Sequence, residues 1–257
     1  MPDLLYEKKD FYAVFTMNRP ERLNALGGAM NEERAAAIDD FNADPNMRVG
    51  IVTGAGRAFS AGADLKEMSE RGGGSSVMGR RGGGMAPSMG YASSPKPVIA
   101  AVNGLAIGGG FETSLDCDIR IASTEAYFGL FEPKRGILAG YGMHHLPRII
   151  NLTHAAYILL TAERVSAEQA KEWGIVSEVV EPDRLMPRAI EIAETIVQNA
   201  PLSTEGTKAM LQAWRMAKID DSYRLGAWVM DKVFSSNDAK EGPLAFAEKR
   251  APKWTSS

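Results

Sequence analysis

The sequence is poor in cysteine: Cys117 is the only one among 257 residues. An intrachain disulfide is therefore impossible, and a structural zinc site built from several cysteines is excluded. No apolar run reaches the roughly 20 residues that a membrane-spanning helix needs. The charged N-terminal residues also lack the apolar centre of a signal peptide. We therefore expect a protein of a reducing compartment, with the cytoplasm as its location and no membrane partner.

An excess of charge of either sign is missing as well. The chain has 29 Lys and Arg against 32 Asp and Glu, which leaves a net charge of −3. This balance argues against a nucleic-acid-binding protein that relies on a broad basic surface. The content of apolar residues is 45%, which is ordinary for a soluble globular protein. A chain of this length buries enough surface to fold without disulfides or metals.

Short β-rich segments alternate with helical ones in the first two thirds of the chain, which predicts an α/β fold. Segments rich in β-branched residues that end at turn residues predict strands over 13–18, 49–53, 98–102 and 119–122. Apolar periodicity predicts helices over 29–41, 108–117 and 154–161.

From about Ser166 onward the pattern becomes mainly helical. A capping box at Ser166 opens a helix that is expected to end at Gly174, and residues 177–180 predict one last short strand. Amphipathic patterns predict further helices over 185–199, 204–217 and 221–234. We therefore divide the chain into a core domain, residues 1–195, and a C-terminal helical region, residues 196–257.

Residues 71–94 contain two glycine triplets and few apolar residues, which is typical of a long loop. A loop of this length inside a compact domain is either functional or disordered.

A first candidate site follows the strand at 49–53 and reads GAGRAFSAGADL over residues 54–65. Phe59 occupies the position of the third glycine of a dinucleotide fingerprint, and the Gly-Lys-Ser/Thr of a phosphate-binding loop is missing. The small residues at 61–63 allow a ligand to approach backbone N–H groups. A turn whose small residues serve only packing is the alternative.

A second candidate site reads NGLAIGGGFE over residues 103–112. Its three glycines precede a predicted helix, whose free N–H groups and positive dipole end suit an oxyanion. Glu112 lies in the first turn, and Glu132 precedes Pro133, which predicts extended or turn backbone there. Two glutamates from different elements can act as acid and base. The alternatives are a dipole-complementing Glu112, glycines needed for packing and a solvated Glu132.

Two further patterns give weaker evidence about function. His144 and His145 are adjacent, so their side chains diverge, and spacing places no third metal ligand beside them. We therefore expect no metal site. No Gly-x-Ser-x-Gly segment occurs, so a hydrolytic serine is not indicated.

Taken together, five ordered segments resemble the enoyl-CoA hydratase/isomerase (crotonase) superfamily. They are NRPERLNAL at 18–26, residues 54–68, residues 96–112, residues 117–122, and Phe128-Gly129 with Glu132. The resemblance extends from about residue 4 to 254. It implies a ClpP/crotonase-like spiral of ββα units whose C-terminal helical region drives trimerisation. The implied assembly is a homotrimer or a dimer of trimers.

The resemblance implies an enzyme that binds acyl-CoA thioesters, with coenzyme A carried by the substrate and no separate cofactor. The backbone N–H groups of Ala63 and Gly109 would form an oxyanion hole around the thioester carbonyl. Glu112 would activate water, and Glu132 would donate a proton to the α-carbon. The function that it implies is an enoyl-CoA hydratase, which adds water reversibly to a 2-enoyl-CoA.

Further residues are assigned by the same resemblance. The implied CoA-binding residues are Arg22, Leu23, Ala61, Asp64, Leu65, Lys66, Phe246 and Lys249. Phe246 and Lys249 are expected to reach the CoA of a neighbouring subunit. Met68 and Tyr141 are expected to line the acyl pocket.

One segment departs from the family pattern. Where relatives have a Pro-Gly-x-Gly run, residues 137–148 read ILAGYGMHHLPR, with bulky Tyr141 and Met143 and the histidine pair. Other reactions of the family therefore remain alternatives: double-bond isomerisation, or hydrolysis or C–C cleavage of a ring-ketone acyl-CoA that uses Tyr141 or a histidine. A non-catalytic scaffold that binds CoA or RNA is the alternative of another class.

Overall fold

The computed structural model describes residues 1–70, 89–216, 231 and 234–253. These residues form ten strands and nine α-helices, which confirms the α/β prediction. Residues 71–88 of the predicted loop and most of the predicted helix 221–234 lie outside them. The strands are β1 Leu4–Lys9, β2 Tyr12–Met17, β3 Val49–Gly54, β4 Ala58–Ser60, β5 Val98–Val102, β6 Leu105–Ile107, β7 Ile119–Ser123, β8 Tyr127–Gly129, β9 Val165–Ser166 and β10 Glu178–Val180.

The helices are α1 Met30–Ala43, α2 Leu65–Glu70, α3 Gly109–Asp116, α4 Gly142–His145, α5 Leu152–Thr161, α6 Ala167–Glu172, α7 Leu185–Val197, α8 Pro201–Met216 and α9 Asn237–Ala247. Six of these described helices occur close to their predicted positions, whereas α2, α4 and α9 were not predicted. The predicted capping box opens α6, where the Ser166 hydroxyl accepts the N–H of Gln169. Among the helices that the structure describes, none is long and apolar enough to cross a membrane.

The strands form two sheets that the chain visits in turn. One sheet has the order β1-β2-β3-β5-β7-β10, and the other has the order β4-β6-β8-β9. The pairs β3–β5 and β5–β7 are parallel, as are β4–β6 and β6–β8. Each passage thus adds one strand to each sheet before a helix returns the chain, as in β3-β4-α2 and β5-β6-α3. This is the predicted spiral of ββα units.

The C-terminal helices pack on this spiral. Leu185, Ala189 and Ala193 of α7 are buried in the same apolar cluster as Ile51 and Ile99 of the larger sheet. Because α7 ends at Val197, it runs just past the predicted domain boundary, which stays a prediction.

Two contacts bring α8 and α9 onto the core. The ammonium group of Lys208 on α8 donates to the carbonyls of Tyr91 and Lys96. Helix α9 contacts α2 and the 3₁₀ turn Glu132–Arg135. A Cβ atom at Gly242 would collide with the carbonyl of Arg135, so this close approach requires glycine. The C-terminal region therefore reaches the elements that carry the candidate site.

Candidate active site

Residues 19–26, which follow β2, are joined to the first candidate segment, residues 54–65, by largely buried hydrogen bonds. The Asn24 amide donates to the carbonyls of Ala55 and Ala58, at 2.9 and 2.7 Å. Its oxygen accepts the N–H of Arg19 at 2.9 Å, and the Ser60 hydroxyl donates to the Asn24 carbonyl at 2.7 Å. These bonds bring Leu26 alongside residues 62–64.

The pairing with Leu26 determines where the Ala63 amide points. Leu26 N–H donates to the Gly62 carbonyl, and Asp64 N–H donates to the Leu26 carbonyl. In such a parallel bridge, the residue between the two bonded neighbours directs its own N–H to the opposite side. The Ala63 N–H therefore faces away from Leu26. A Cβ atom on Gly109 would lie 3.6 Å from the Ala63 nitrogen, so the two residues are neighbours.

Gly109 is the first residue of α3, so its N–H has no partner within the helix. The predicted oxyanion amides, those of Ala63 and Gly109, thus lie side by side at the positive end of a helix dipole. Gly62 has φ +82°, and a Cβ atom there would lie 2.6 Å from the Ile107 carbonyl oxygen. Only glycine fits this approach, which explains the small residues at this position.

Glu112 is buried in the first turn of α3. Its Oε1 accepts the N–H groups of Tyr141 and Gly142, at 2.8 and 2.7 Å. Burial raises the pKa of Glu112, and the two N–H donors oppose that rise by stabilising the carboxylate. The departure from the family pattern at 137–148 therefore includes the backbone that holds a predicted catalytic residue.

Glu132 is the first residue of the 3₁₀ turn Glu132–Arg135, which is a short 3₁₀ helix, so the expectation that this residue lies outside any helix was wrong. Proline is favoured in a first helical turn, where its missing N–H is not needed, and Pro133 occupies such a position. A Cβ atom on Gly108 would lie 3.0 Å from Glu132 Oε1. Glu132 Oε2 is buried and has no hydrogen-bond partner among the residues that the structure describes.

The two carboxyl groups interact. Burial raises the pKa of Glu132 to about 8, with the charge of Glu112 as the second cause. At neutral pH the shared proton therefore belongs on Glu132, while the N–H donors favour the ionised form of Glu112. Two interacting carboxyl groups in unlike surroundings are the arrangement expected of a general acid and a general base.

The side chain of Asp64 is engaged within the chain. Its Oδ2 lies 3.2 Å from Arg19 and 2.8 Å from Arg22. Although burial raises the pKa of Asp64, the hydrogen bond from Arg22 lowers it below the ordinary value. Arg19 and Glu67 complete this ion-pair network and were not among the predicted site residues. The spacing of Asp64 and Glu67, one turn apart at the start of α2, is the signal that indicates it.

The predicted CoA-binding residues fall into two groups. The first group lies where residues 19–26 meet residues 54–65, and Ala61 N–H donates there to the Leu23 carbonyl at 2.9 Å. This group comprises Arg22, Leu23, Ala61 and Leu65. Lys66 instead faces the end of α9. A cavity of about 650 Å³ is lined by Lys66, Arg135, Gly242, Ala245, Phe246, Ala247, Lys249, Arg250 and Pro252. Phe246 and Lys249 thus meet Lys66 within one chain, whereas their expected reach to a neighbouring subunit stays a prediction.

The two predicted acyl-pocket residues have different surroundings. Met68 belongs to a small apolar cluster with Ile137, Phe234 and Ala239. Tyr141 is only 2% exposed, and its ring stacks on His145 with 3.6 Å between centroids. The contact of Tyr141 with the site is its backbone N–H.

The histidine pair is poorly suited to proton transfer. Burial, with a contribution from Arg215, lowers the pKa of His145 to about 3, and burial also lowers the pKa of His144. Both rings are therefore neutral at pH 7. In the part of the chain that the structure describes, no group of three or more His, Cys, Asp or Glu side chains is arranged to hold a metal ion.

A sequence model of the enoyl-CoA hydratase/isomerase family matches residues 7–257. The chain belongs to this family. It is 38% identical to the short-chain-enoyl-CoA hydratase of Clostridium acetobutylicum, over 96% of this chain and 95% of the relative. It is 40% identical to the mevalonyl-coenzyme A hydratase of Aspergillus fumigatus, over 95% of this chain and 91% of the relative.

Solved structures agree with this membership. The structure of a carnitinyl-CoA dehydratase from Mycobacterium avium superposes with a TM-score of 0.87, at 34% identity and full coverage of both chains. The family resemblance and the crotonase-like fold predicted from the sequence are confirmed.

Proposed function

We propose that this protein is an enoyl-CoA hydratase, which adds water reversibly to the double bond of a 2-enoyl-CoA thioester. The observation that carries this proposal is the interacting pair of Glu112, which is buried, and Glu132, whose Oε2 atom is buried, beside the adjacent amides of Ala63 and Gly109. Two relatives that align with nearly the whole chain support this proposal, because they are named as hydratases of CoA thioesters.

The backbone amides supply the electrostatic part of the mechanism. The N–H groups of Ala63 and Gly109 donate to the thioester carbonyl oxygen. As water adds to C3, negative charge develops on that oxygen because an enolate forms. A preorganised donor in a site that excludes water contributes about 3 to 4 kcal/mol to such a step.

The two glutamates carry the protons. The Glu112 carboxylate accepts one proton from water while the water oxygen bonds to C3. Protonated Glu132 then gives its proton to C2, and the enolate collapses to the 3-hydroxyacyl thioester. Transfer of the accepted proton back to Glu132, directly or through water, restores the pair. Dehydration follows the same steps in reverse.

The cationic cavity beside α9 suits the CoA portion of the substrate. Lys66, Arg135 and Lys249 are among the residues that line it, and the phosphate groups of CoA are anionic. The other proposed CoA contacts are Arg22, Leu23, Ala61, Asp64 and Leu65. Asp64 would act through its backbone, because its carboxylate is engaged by Arg19 and Arg22. We include no cofactor beyond the CoA of the substrate.

Hydration of crotonyl-CoA tests the activity directly. We expect the ultraviolet absorbance of the conjugated thioester to fall, and mass spectrometry to show a product heavier by one water. A Glu7→Gln variant changes an exposed glutamate of β1 and is expected to match the wild type. A wild-type enzyme that leaves a panel of 2-enoyl-CoA substrates unchanged, or that moves the double bond without adding water, would contradict the proposal.

A homotrimer, or a dimer of trimers, is the assembly that we propose. Large apolar side chains are exposed on two helices, Leu152 and Leu160 on α5 and Leu202 and Met210 on α8. Such residues at a surface suit burial against another subunit. Light scattering after size exclusion is expected to give three or six chain masses, and a monomer would contradict this assembly.

A further inference from the structure

A cationic side chain from the C-terminal region reaches the back of the candidate site. Arg215, in the last turn of α8, donates from Nη2 to the Leu115 carbonyl and to the Tyr141 hydroxyl, at 2.7 Å each. Its Nε donates to Nδ1 of His145 at 3.3 Å. The guanidinium group thus connects three positions that are 70 to 100 residues away in sequence.

Two of these positions belong to the elements that hold Glu112. Leu115 lies one turn after Glu112 on α3. Tyr141 provides one of the two N–H groups that Glu112 Oε1 accepts, and Gly142 provides the other. Arg215 therefore contacts both the helix that carries the carboxylate and the backbone that solvates it.

We propose that Arg215 is a positioning residue that holds the Tyr141–Gly142 amides against Glu112, a role that rests on the proposed hydration. It acts through the Tyr141 side chain and the Leu115 carbonyl and does not touch the substrate.

The local structure shows why such a brace is needed. Helix α4 is only four residues long, so it holds its own N-terminal amides weakly. The Tyr141 ring stacks on His145, and one planar guanidinium group binds both side chains. A rigid fork of donors restrains two acceptors at once better than a single ammonium group does.

The charged groups near this support come from several elements. Glu132 from the 3₁₀ turn acts on Glu112 itself. Behind Tyr141 lie Arg215 from α8, neutral His145 from α4, and Arg120 from β7, which donates to the Cys117 carbonyl at 2.7 Å. If the Tyr141–Gly142 amides retreat, Glu112 loses its donors and its pKa rises, because burial is then unopposed.

Four variants test this role: Arg215→Met, Arg215→Lys, Tyr141→Phe and Lys208→Met. For Arg215→Met we expect kcat to fall on the order of 10- to 100-fold, as for misplaced catalytic groups, with little change in KM. The acidic limb of its pH–rate profile is expected to move to higher pH. Arg215→Lys is expected to recover part of kcat, and Tyr141→Phe, which keeps the backbone N–H, to lie between Arg215→Met and the wild type.

Lys208→Met is the matched control because Lys208 fastens the same helix without touching the support of Glu112. We expect it to lower the melting temperature while leaving the acidic limb in place. If Lys208→Met moves that limb as far as Arg215→Met does, or if Arg215→Met leaves it unmoved, Arg215 has no positioning role. Should Arg215→Met not fold, Arg215→Lys and Tyr141→Phe provide the same comparison.

A measurement without turnover separates this role from the activity. The carboxyl band of Glu112 in pH-difference infrared spectra, assigned by its loss in Glu112→Gln, is expected to titrate at higher pH in Arg215→Met. A shifted band in a protein that fails to hydrate enoyl-CoA would overturn the proposed activity and keep the support of Glu112. An unshifted band in an active enzyme would overturn the role of Arg215 alone.

Discussion

Glu112 and Glu132 lie close enough for their charges to interact but are held by different kinds of backbone. The first turn of α3 presents Glu112 to two N–H donors of the α4 segment, at 2.8 and 2.7 Å. The 3₁₀ turn presents Glu132 beside Gly108, with its Oε2 unpartnered among the described residues. The surroundings therefore act differently on the two carboxyl groups: two N–H donors of another segment oppose the rise in the pKa of Glu112, whereas burial and the charge of Glu112 raise the pKa of Glu132.

The strongest test of this division is the pair of glutamine variants. Glu112→Gln and Glu132→Gln are each expected to lower kcat for hydration by about 10² to 10⁴-fold, as for the loss of a general acid or base. The double variant is expected to be no slower than the slower single variant, because groups that act in one step are not additive. Steady-state kinetics on crotonyl-CoA measure this, and losses that multiply would mean that the two carboxyls act independently.

A smaller change addresses Glu132 alone. In Gly108→Ala, the new methyl group approaches Glu132 Oε1, and the residue must keep φ +54° and ψ −125°, a conformation rare for any residue but glycine, which costs roughly 1 to 3 kcal/mol. We expect kcat to fall about tenfold, equivalent to roughly 1.4 kcal/mol, without loss of the amide contacts to Glu112.

The matched glycine control is Gly206→Ala on α8, where no atom lies within 4 Å of the added methyl group. It is expected to keep full activity and to raise the free energy of unfolding by up to about 1 kcal/mol, because alanine favours a helix. Equal kinetic losses in the two alanine variants would show that crowding of Glu132 is not the cause.

The pH dependence of stability provides a third comparison. Between its ordinary pKa of 4.5 and a folded-state pKa of about 8, Glu132 keeps a proton in the folded chain that the unfolded chain has released. The contribution of Glu132 to the free energy of unfolding therefore falls as pH rises through this window, by at most about 1.4 kcal/mol per pH unit.

Urea unfolding of the wild type and Glu132→Gln from pH 5 to pH 8 measures this slope. The variant is expected to lack it, so the difference between the two proteins changes with pH. The exposed control Glu7→Gln is expected to follow the wild type. A constant difference between wild type and Glu132→Gln would mean that Glu132 titrates as an ordinary carboxyl.

The sequence predicted most of the longer elements because their periodicity is visible over many residues, but strand β1 and helix α9 were missed. Strands β2, β3, β5 and β7 and helix α3 lie close to their predicted ranges. Strands β4, β6 and β8 have three residues each, too few to show alternation, and they were missed. From the sequence, Pro133 was expected to restrict the backbone of Glu132, the residue before it. In the structure, Pro133 lies in a first helical turn, and Glu132 belongs to that same turn.

The residues of the candidate site were predictable where the residue type alone indicates an accessible backbone N–H group or a group that transfers protons. The glycines around Ala63 and Gly109 and the two glutamates indicate an anion-stabilising site without reference to distant contacts. The spacing of Asp64 and Glu67 indicates an ion-pair network but does not identify Arg19 as its partner, and the contacts of Arg215 were not predictable at all. The partners of these arginines lie up to 100 residues away, and a lone arginine in a helix looks the same whether it faces solvent or a buried carbonyl.

Residue types and their local order alone therefore determined the family, whose resemblance implied the ββα spiral, and the residues able to polarise a carbonyl and move protons. Tertiary structure alone decided which glutamate holds the proton, that Tyr141 contributes its backbone amide, and that Lys66 and Lys249 share a cavity. The physical reason is that pKa values, hydrogen-bond partners and cavities depend on burial and on groups distant in sequence, which no local pattern records.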